Sequence, residues 1–133
     1  MTRGVKYVST LLLAVGVTLS CRDSEKCERS RMEVARLWSR VKDGAVRRRT
    51  RDDGTIKSEE YLRKWAHIEN QADLVSSSFE TEQITWGPAA KGQRQLKDDT
   101  ADMAGSSDPA NQNFVQLLNE ANQKAADFEK TCR

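Results

Sequence analysis

Histidine is almost missing from this chain: His67 is the only one in 133 residues. A zinc site needs three or four protein ligands, and a general base needs a partner and a nucleophile. No cysteine or second histidine lies near His67 in sequence, so it reads as a structural or solvated residue. Glycine and proline are also scarce, at 7 and 2. The chain has no glycine-rich phosphate loop, no G-x-S-x-G elbow and no H-E-x-x-H pair. Apolar residues make up 37% of it, which predicts a thin core. Its longest apolar run, Tyr7 to Leu19, is interrupted by Ser9, Thr10 and Thr18. At about 13 residues it falls well short of the roughly 20 that a membrane-spanning helix requires.

Helical periodicity is abundant. A first helix is predicted from an N-cap at Ser24 to about Val46. Its apolar positions, Cys27, Val34, Trp38, Val41 and Ala45, share a face, with Leu37 beside them. Gly44 should fray its end. Arg47, Arg48 and Arg49 in the last turn suit the negative end of a helix dipole, and Asp52-Asp53-Gly54 signals a turn. A second helix is predicted from Ser58 to Trp86. Its seam runs Tyr61, Trp65, Ile68, Ala72, Val75, Phe79, in the alternating steps of four and three that a coiled-coil-like contact uses. An extended conformation for Val75–Trp86 is the alternative.

Gly87-Pro88 should end that helix. A weaker one follows over residues 89–104, with Ala89, Leu96 and Met103 on one side. Asp108-Pro109 is a strong start signal, an N-cap followed by proline in the first turn. The last helix carries Ala110, Phe114, Leu117, Ala121, Ala125, Phe128 and Cys132 inward, with Leu118 widening the stripe. The expected fold is all-α, an antiparallel up-and-down bundle of three to four helices.

The N-terminus is of another kind. Arg3 and Lys6 precede the apolar run, and Ser20-Cys21 closes it. A charged start, a short apolar core and small residues at the end are the layout of a secretory signal. A cysteine at that place resembles a bacterial lipoprotein precursor. The resemblance covers Met1–Cys21 only, and Thr18 stands where the class prefers leucine. It implies removal of residues 1–20, a lipid on Cys21 and a mature domain over 21–133. It also implies attachment to a membrane of the cell envelope; Arg22, in place of an aspartate, leans toward the outer membrane facing the periplasm. Thr18-Leu19-Ser20 also fits an ordinary cleaved signal, which would be cut at the same bond.

Cysteine parity follows from that reading. An odd cysteine in an exported protein leaves a loose thiol. With Cys21 lipidated, Cys27 and Cys132 form a pair, which an oxidising compartment lets close. Buried apolar thiols are the alternative. In an up-and-down bundle the two cysteines meet only if the helix count is even. A closed pair therefore requires a reversal near Gly87-Pro88 and four helices.

Charge is unevenly spread once residues 1–20 are set aside: net +5 over residues 21–64 and net −5 over residues 65–133. The densest charge feature runs from Arg36 to Arg51, with Arg36, Arg40, Lys42, Arg47, Arg48, Arg49 and Arg51 against Asp43 alone; within it Arg47, Arg48, Arg49 and Arg51 are the candidate interaction residues for an acidic protein partner or an anionic envelope ligand. Pairing with the acidic half of the same chain is the simpler expectation. Nucleic acid is not an expected partner of an exported protein. Trp38 and Trp65 lie on helical seams and should be core. Trp86, beside the Gly-Pro pair, should be partly exposed and joins the candidate interaction residues. Asp98-Asp99-Thr100-Ala101-Asp102 has the D-D-x-x-D spelling of magnesium diphosphate sites, but 113 mature residues leave no room for the deep cavity and second acidic motif such sites need. It reads as a solvated acidic face. No cofactor or metal is expected. The expected function is a non-catalytic binding, scaffold or assembly role at the envelope. The alternative is a protective inhibitor, immunity or exclusion lipoprotein. Self-association through the Tyr61–Phe79 seam is left open.

Overall fold

The computed structural model describes the backbone of residues 2–133 and the side chains of residues 24–133. Four α-helices follow one another: α1 (Thr2–Thr50), α2 (Glu59–Phe79), α3 (Trp86–Asp99) and α4 (Pro109–Cys132). A single 3-10 turn, Ala101–Met103, lies between α3 and α4. The helices run alternately up and down. α1 is central and packs against both α2 and α4, while α2 carries α3 on its other side. No strand occurs among the described residues, and none of their helices is long and apolar enough to cross a membrane.

The predicted seams meet in one core. Val34, Trp38, Val41 and Ala45 of α1 face Trp65, Ile68, Ala72, Val75 and Phe79 of α2 and Phe114, Leu118, Ala121, Ala125 and Phe128 of α4. Ala89, Leu96 and Met103 close it from the third segment, as their spacing predicted. Trp65 meets the edge of Phe114 at a centroid distance of 5.1 Å. Leu118 is buried and Leu117 only half-buried, the reverse of the predicted emphasis. Either leucine satisfies the periodicity, and the approach of α4 to α1 decides between them.

Three boundaries differ from expectation. The first helix does not begin at Ser24, because α1 is continuous from Thr2. Residues 17–43 contain neither glycine nor proline, so nothing in that stretch stops a helix. Nor does it fray at Gly44. A Cβ there would stand 3.3 Å from the Phe114 ring, so the bare backbone gives that ring its room and α1 continues to Thr50. The second helix stops at Phe79 rather than Trp86. Phe79 is the last seam residue, and Glu80-Thr81-Glu82-Gln83 offers nothing apolar to bury. The extended alternative for Val75–Trp86 is not observed: Val75–Phe79 is helical, residues 80–83 bend and Trp86 opens α3.

Gly87-Pro88 accordingly does not break a helix; it lies in the first turn of α3. The first-turn N–H groups have no intrahelical partner, so proline costs no hydrogen bond there. The reversal falls just before it, over residues 80–85, and makes the helix count even. Two predicted starts are observed: Ser58 Oγ accepts from Tyr61 N at 3.1 Å, and Asp108 Oδ1 accepts from Ala110 N at 3.0 Å. Gly92 lets α3 close on α2, since a Cβ there would lie 2.6 Å from Val75 Cγ2.

Candidate functional site

The even helix count brings the start of the α1 bundle segment and the end of α4 together. Cys27 and Cys132 are joined by a disulfide, with Cα atoms 5.7 Å apart across 105 residues of sequence. Around the bond sits an aromatic cluster. Phe79 meets Trp86 edge-on at 5.7 Å and Phe128 at 5.9 Å, and Trp86 stacks on Phe128 at 5.9 Å. Trp86 is half-buried, and the Arg133 guanidinium carbon lies 4.6 Å from its ring centroid. Trp86 is thus partly exposed, as expected beside the Gly-Pro pair, with one face taken up in packing. The Cys21 side chain lies outside the described residues, yet only five residues separate it from Cys27.

Arg31 sits beneath the same end with only 6% of its surface exposed. Its Nη1 donates to the carbonyl of Phe79, one of the carbonyls that the end of α2 leaves unpaired. Its Nε donates to Glu28 Oε2 at 3.0 Å. That bond raises the guanidinium pKa and holds the Glu28 carboxyl below its ordinary range. Sequence reading passed over Arg31; its place among the core positions of α1, three residues before Val34 and four after Cys27, was the available signal.

The arginine cluster lies at the other end and divides in two. Arg48 is used by the fold: its guanidinium carbon stands 4.8 Å from the Trp65 ring centroid, and Nη2 donates to Asn111 Oδ1 at 2.7 Å. Its carbonyl accepts from Tyr61 Oη at 3.0 Å. Arg49 donates to Glu69 Oε2 through Nε at 3.1 Å and Nη2 at 2.8 Å. Arg51 is exposed, 3.8 Å from Asp53, and Arg47 is exposed as well. Pairing with the acidic half extends along α1, where Lys42 donates to Asp73 of α2 at 2.9 Å and its own pKa rises as a result.

The D-D-x-x-D stretch does not converge on one point. Asp99 Oδ2 lies 3.1 Å from His67 Nε2, Asp102 accepts from Lys64 at 2.6 Å, which lowers its pKa, and Asp98 faces solvent. Lys64 thus ties α2 to the 3-10 turn after α3, and His67 lies beside Asp99 at the end of α3. Among the described residues, no three His, Cys, Asp or Glu side chains are grouped closely enough to hold a metal ion.

One concavity had no sequence signal. α3 and α4 diverge, leaving an open cleft of about 790 Å³ with Val115 and Leu118 at its base and Gln93, Lys97, Asn119 and Asn122 around it. Gln93 Nε2 to Asn122 Oδ1, at 3.5 Å, is the hydrogen bond that spans it. Comparison with protein-family profiles, with curated proteins and with solved structures finds no match for this chain.

Proposed function

We propose that the chain is a lipid-anchored envelope protein, cut before Cys21 and held at the outer membrane on its periplasmic side. Its role is non-catalytic: binding, scaffold or assembly through helix faces. The observation that carries the reading is the Cys27–Cys132 bond. It accounts for the two cysteines among the described side chains, and Cys21 stands at the position where a lipoprotein signal would have it acylated. Two or more acyl chains hold a protein at a membrane where one binds only marginally. The five residues between Cys21 and the staple keep the bundle close to the lipid surface. At 1.5 Å per residue along α1, the arginine end then stands about 40 Å away, directed at a partner rather than at the anchoring membrane.

The test is the intact mass of the protein purified from native membranes and alkylated with and without reductant. The expected mass starts at Cys21, carries acyl groups and gains two alkylations only after reduction. An unmodified chain starting at Cys21 with a free thiol would overturn the anchor.

A further inference from the structure

The solvent side of α1 carries an arginine series that extends the cluster back from Arg47. Arg29, Arg36, Arg40 and Arg47 recur at intervals of seven, four and seven residues. At 100° per residue they fall within about 40° of arc, a stripe about 27 Å long. All four are exposed. None of them makes an ion pair among the described residues, in contrast to Arg31 and Arg49 of the same helix. Like charges four residues apart, as Arg36 and Arg40 are, destabilise an isolated helix slightly. The stripe therefore contributes nothing evident to folding. It borders a shallow groove of about 410 Å³ between α1 and α4, where Met32 is 51% exposed and Glu33, Leu37 and Glu120 complete the lining.

We propose that this stripe docks an acidic helix of a protein partner, lying along α1 with its carboxylates at the same steps of seven, four and seven. The series spans 18 residues, five turns of 3.6, so a second helix alongside can present its own residues in step with it. Each guanidinium fork can take a carboxylate bidentately. Two features separate a protein helix from a uniform polyanion or an anionic lipid surface. Met32 offers an apolar contact that a polyanion does not use. Glu120 in the groove, and Glu33 beside it with its ion pair to Lys124 at 3.8 Å, repel an unbroken negative surface; a helix of mixed sequence can meet them with neutral or basic side chains. The inference rests on the reading of a helix-face binder, but not on the lipid anchor.

The test uses the full chain in neutral detergent and two fluorescent helical peptides of identical composition. One presents glutamates at steps of seven, four and seven on one face; in the other they are scattered around the helix. The in-step peptide is expected to bind at least tenfold more tightly, and Arg36→Glu/Arg40→Glu should remove that advantage. Lys91→Glu/Arg94→Glu on α3, an equal change of charge away from the stripe, should leave it within about twofold. Unchanged circular dichroism verifies that the exposed substitutions leave the bundle folded. Equal binding of the two peptides, or equal loss in the α3 variant, would overturn the proposal in favour of general charge attraction. Stronger arginine-dependent binding to phosphatidylglycerol vesicles than to the in-step peptide would assign the stripe to lipid. Self-association abolished by Arg36→Glu/Arg40→Glu in sedimentation would assign it to a second copy. Cys21→Ser distinguishes the two readings, since it should alter membrane fractionation and leave peptide binding unchanged.

Discussion

The two ends of the bundle solve one problem in different ways. Each must close helix termini whose last carbonyls have no partner within the helix. At the stapled end a buried guanidinium, Arg31, takes the Phe79 carbonyl, three aromatic rings pack around it, and a covalent bond ties α1 to α4. At the arginine end Tyr61 meets the Arg48 carbonyl of α1 and Lys57 the Arg51 carbonyl just beyond it, and the cations around them pair with exposed or half-exposed carboxylates. Surface pairs of this kind contribute little each and are screened by salt. The end next to Cys21 is therefore built to hold position. The far end keeps its charges where solvent, and a partner, can reach them.

Breaking the staple should have the largest effect. Cys27→Ser/Cys132→Ser removes a cross-link spanning 105 residues of sequence, which on chain-entropy grounds contributes about 4–5 kcal/mol. Urea unfolding of the oxidised parent and the double variant measures it. A loss below about 1 kcal/mol would mean that the aromatic cluster holds this end alone, and the contrast between the ends would shrink to packing.

The two arginines sharpen the comparison at a smaller scale. Arg31→Met keeps an apolar stem and leaves the Phe79 carbonyl without its donor, an expected cost of about 1–3 kcal/mol. Arg48→Met removes a stacked cation and one hydrogen bond at a half-buried site, an expected cost of about 1–2 kcal/mol. The same unfolding experiment ranks them. A larger effect for Arg48 would reverse the assignment of the firmer end.

These differences bear on how much a sequence of this kind discloses. The seams of α2 and α4 and the burial of Trp38 and Trp65 were legible, because periodicity reports which side of a helix is apolar. The starts at Ser58 and Asp108 were legible from cap chemistry, which is local. Termination was less so. Gly87-Pro88 reads as a stop or as a first turn depending on where the previous helix has run out of apolar residues, and Phe79 marks that point only once the seam is seen packed. Leu117 and Leu118 are equivalent in the sequence and are separated by the line along which α4 meets α1. The arginine run was visible as charge, yet its division between Arg48 and Arg49, held by Trp65, Asn111 and Glu69, and Arg47, left in solvent, follows from tertiary neighbours 17 to 63 residues away along the chain. The cleft between α3 and α4 is a gap between helices, and no residue pattern encodes it.

The finest probe of the arginine end is a single carboxylate in the turn after α1. Asp53 accepts from the Thr55 hydroxyl at 2.5 Å and from the Thr55 backbone N–H at 3.1 Å, beside Gly54, whose φ of +77° lets the chain turn there. These bonds favour the ionised form, and they lower the Asp53 pKa from 3.8 to about 2. A depressed carboxylate pKa stabilises the folded turn fully above the unfolded value, and that contribution is lost as pH falls through the folded one. The turn should therefore loosen between about pH 4 and 2, with the staple and the aromatic cluster still in place, because neither includes this group. Carboxyl carbon shifts followed by NMR should give Asp53 a midpoint near the depressed value. Thr55→Val, which removes the hydroxyl and keeps the backbone N–H, should return it part of the way to the ordinary range. A midpoint already ordinary in the parent would mean that the loop is not held by Asp53, leaving Lys57 on the Arg51 carbonyl as the contact that positions this end.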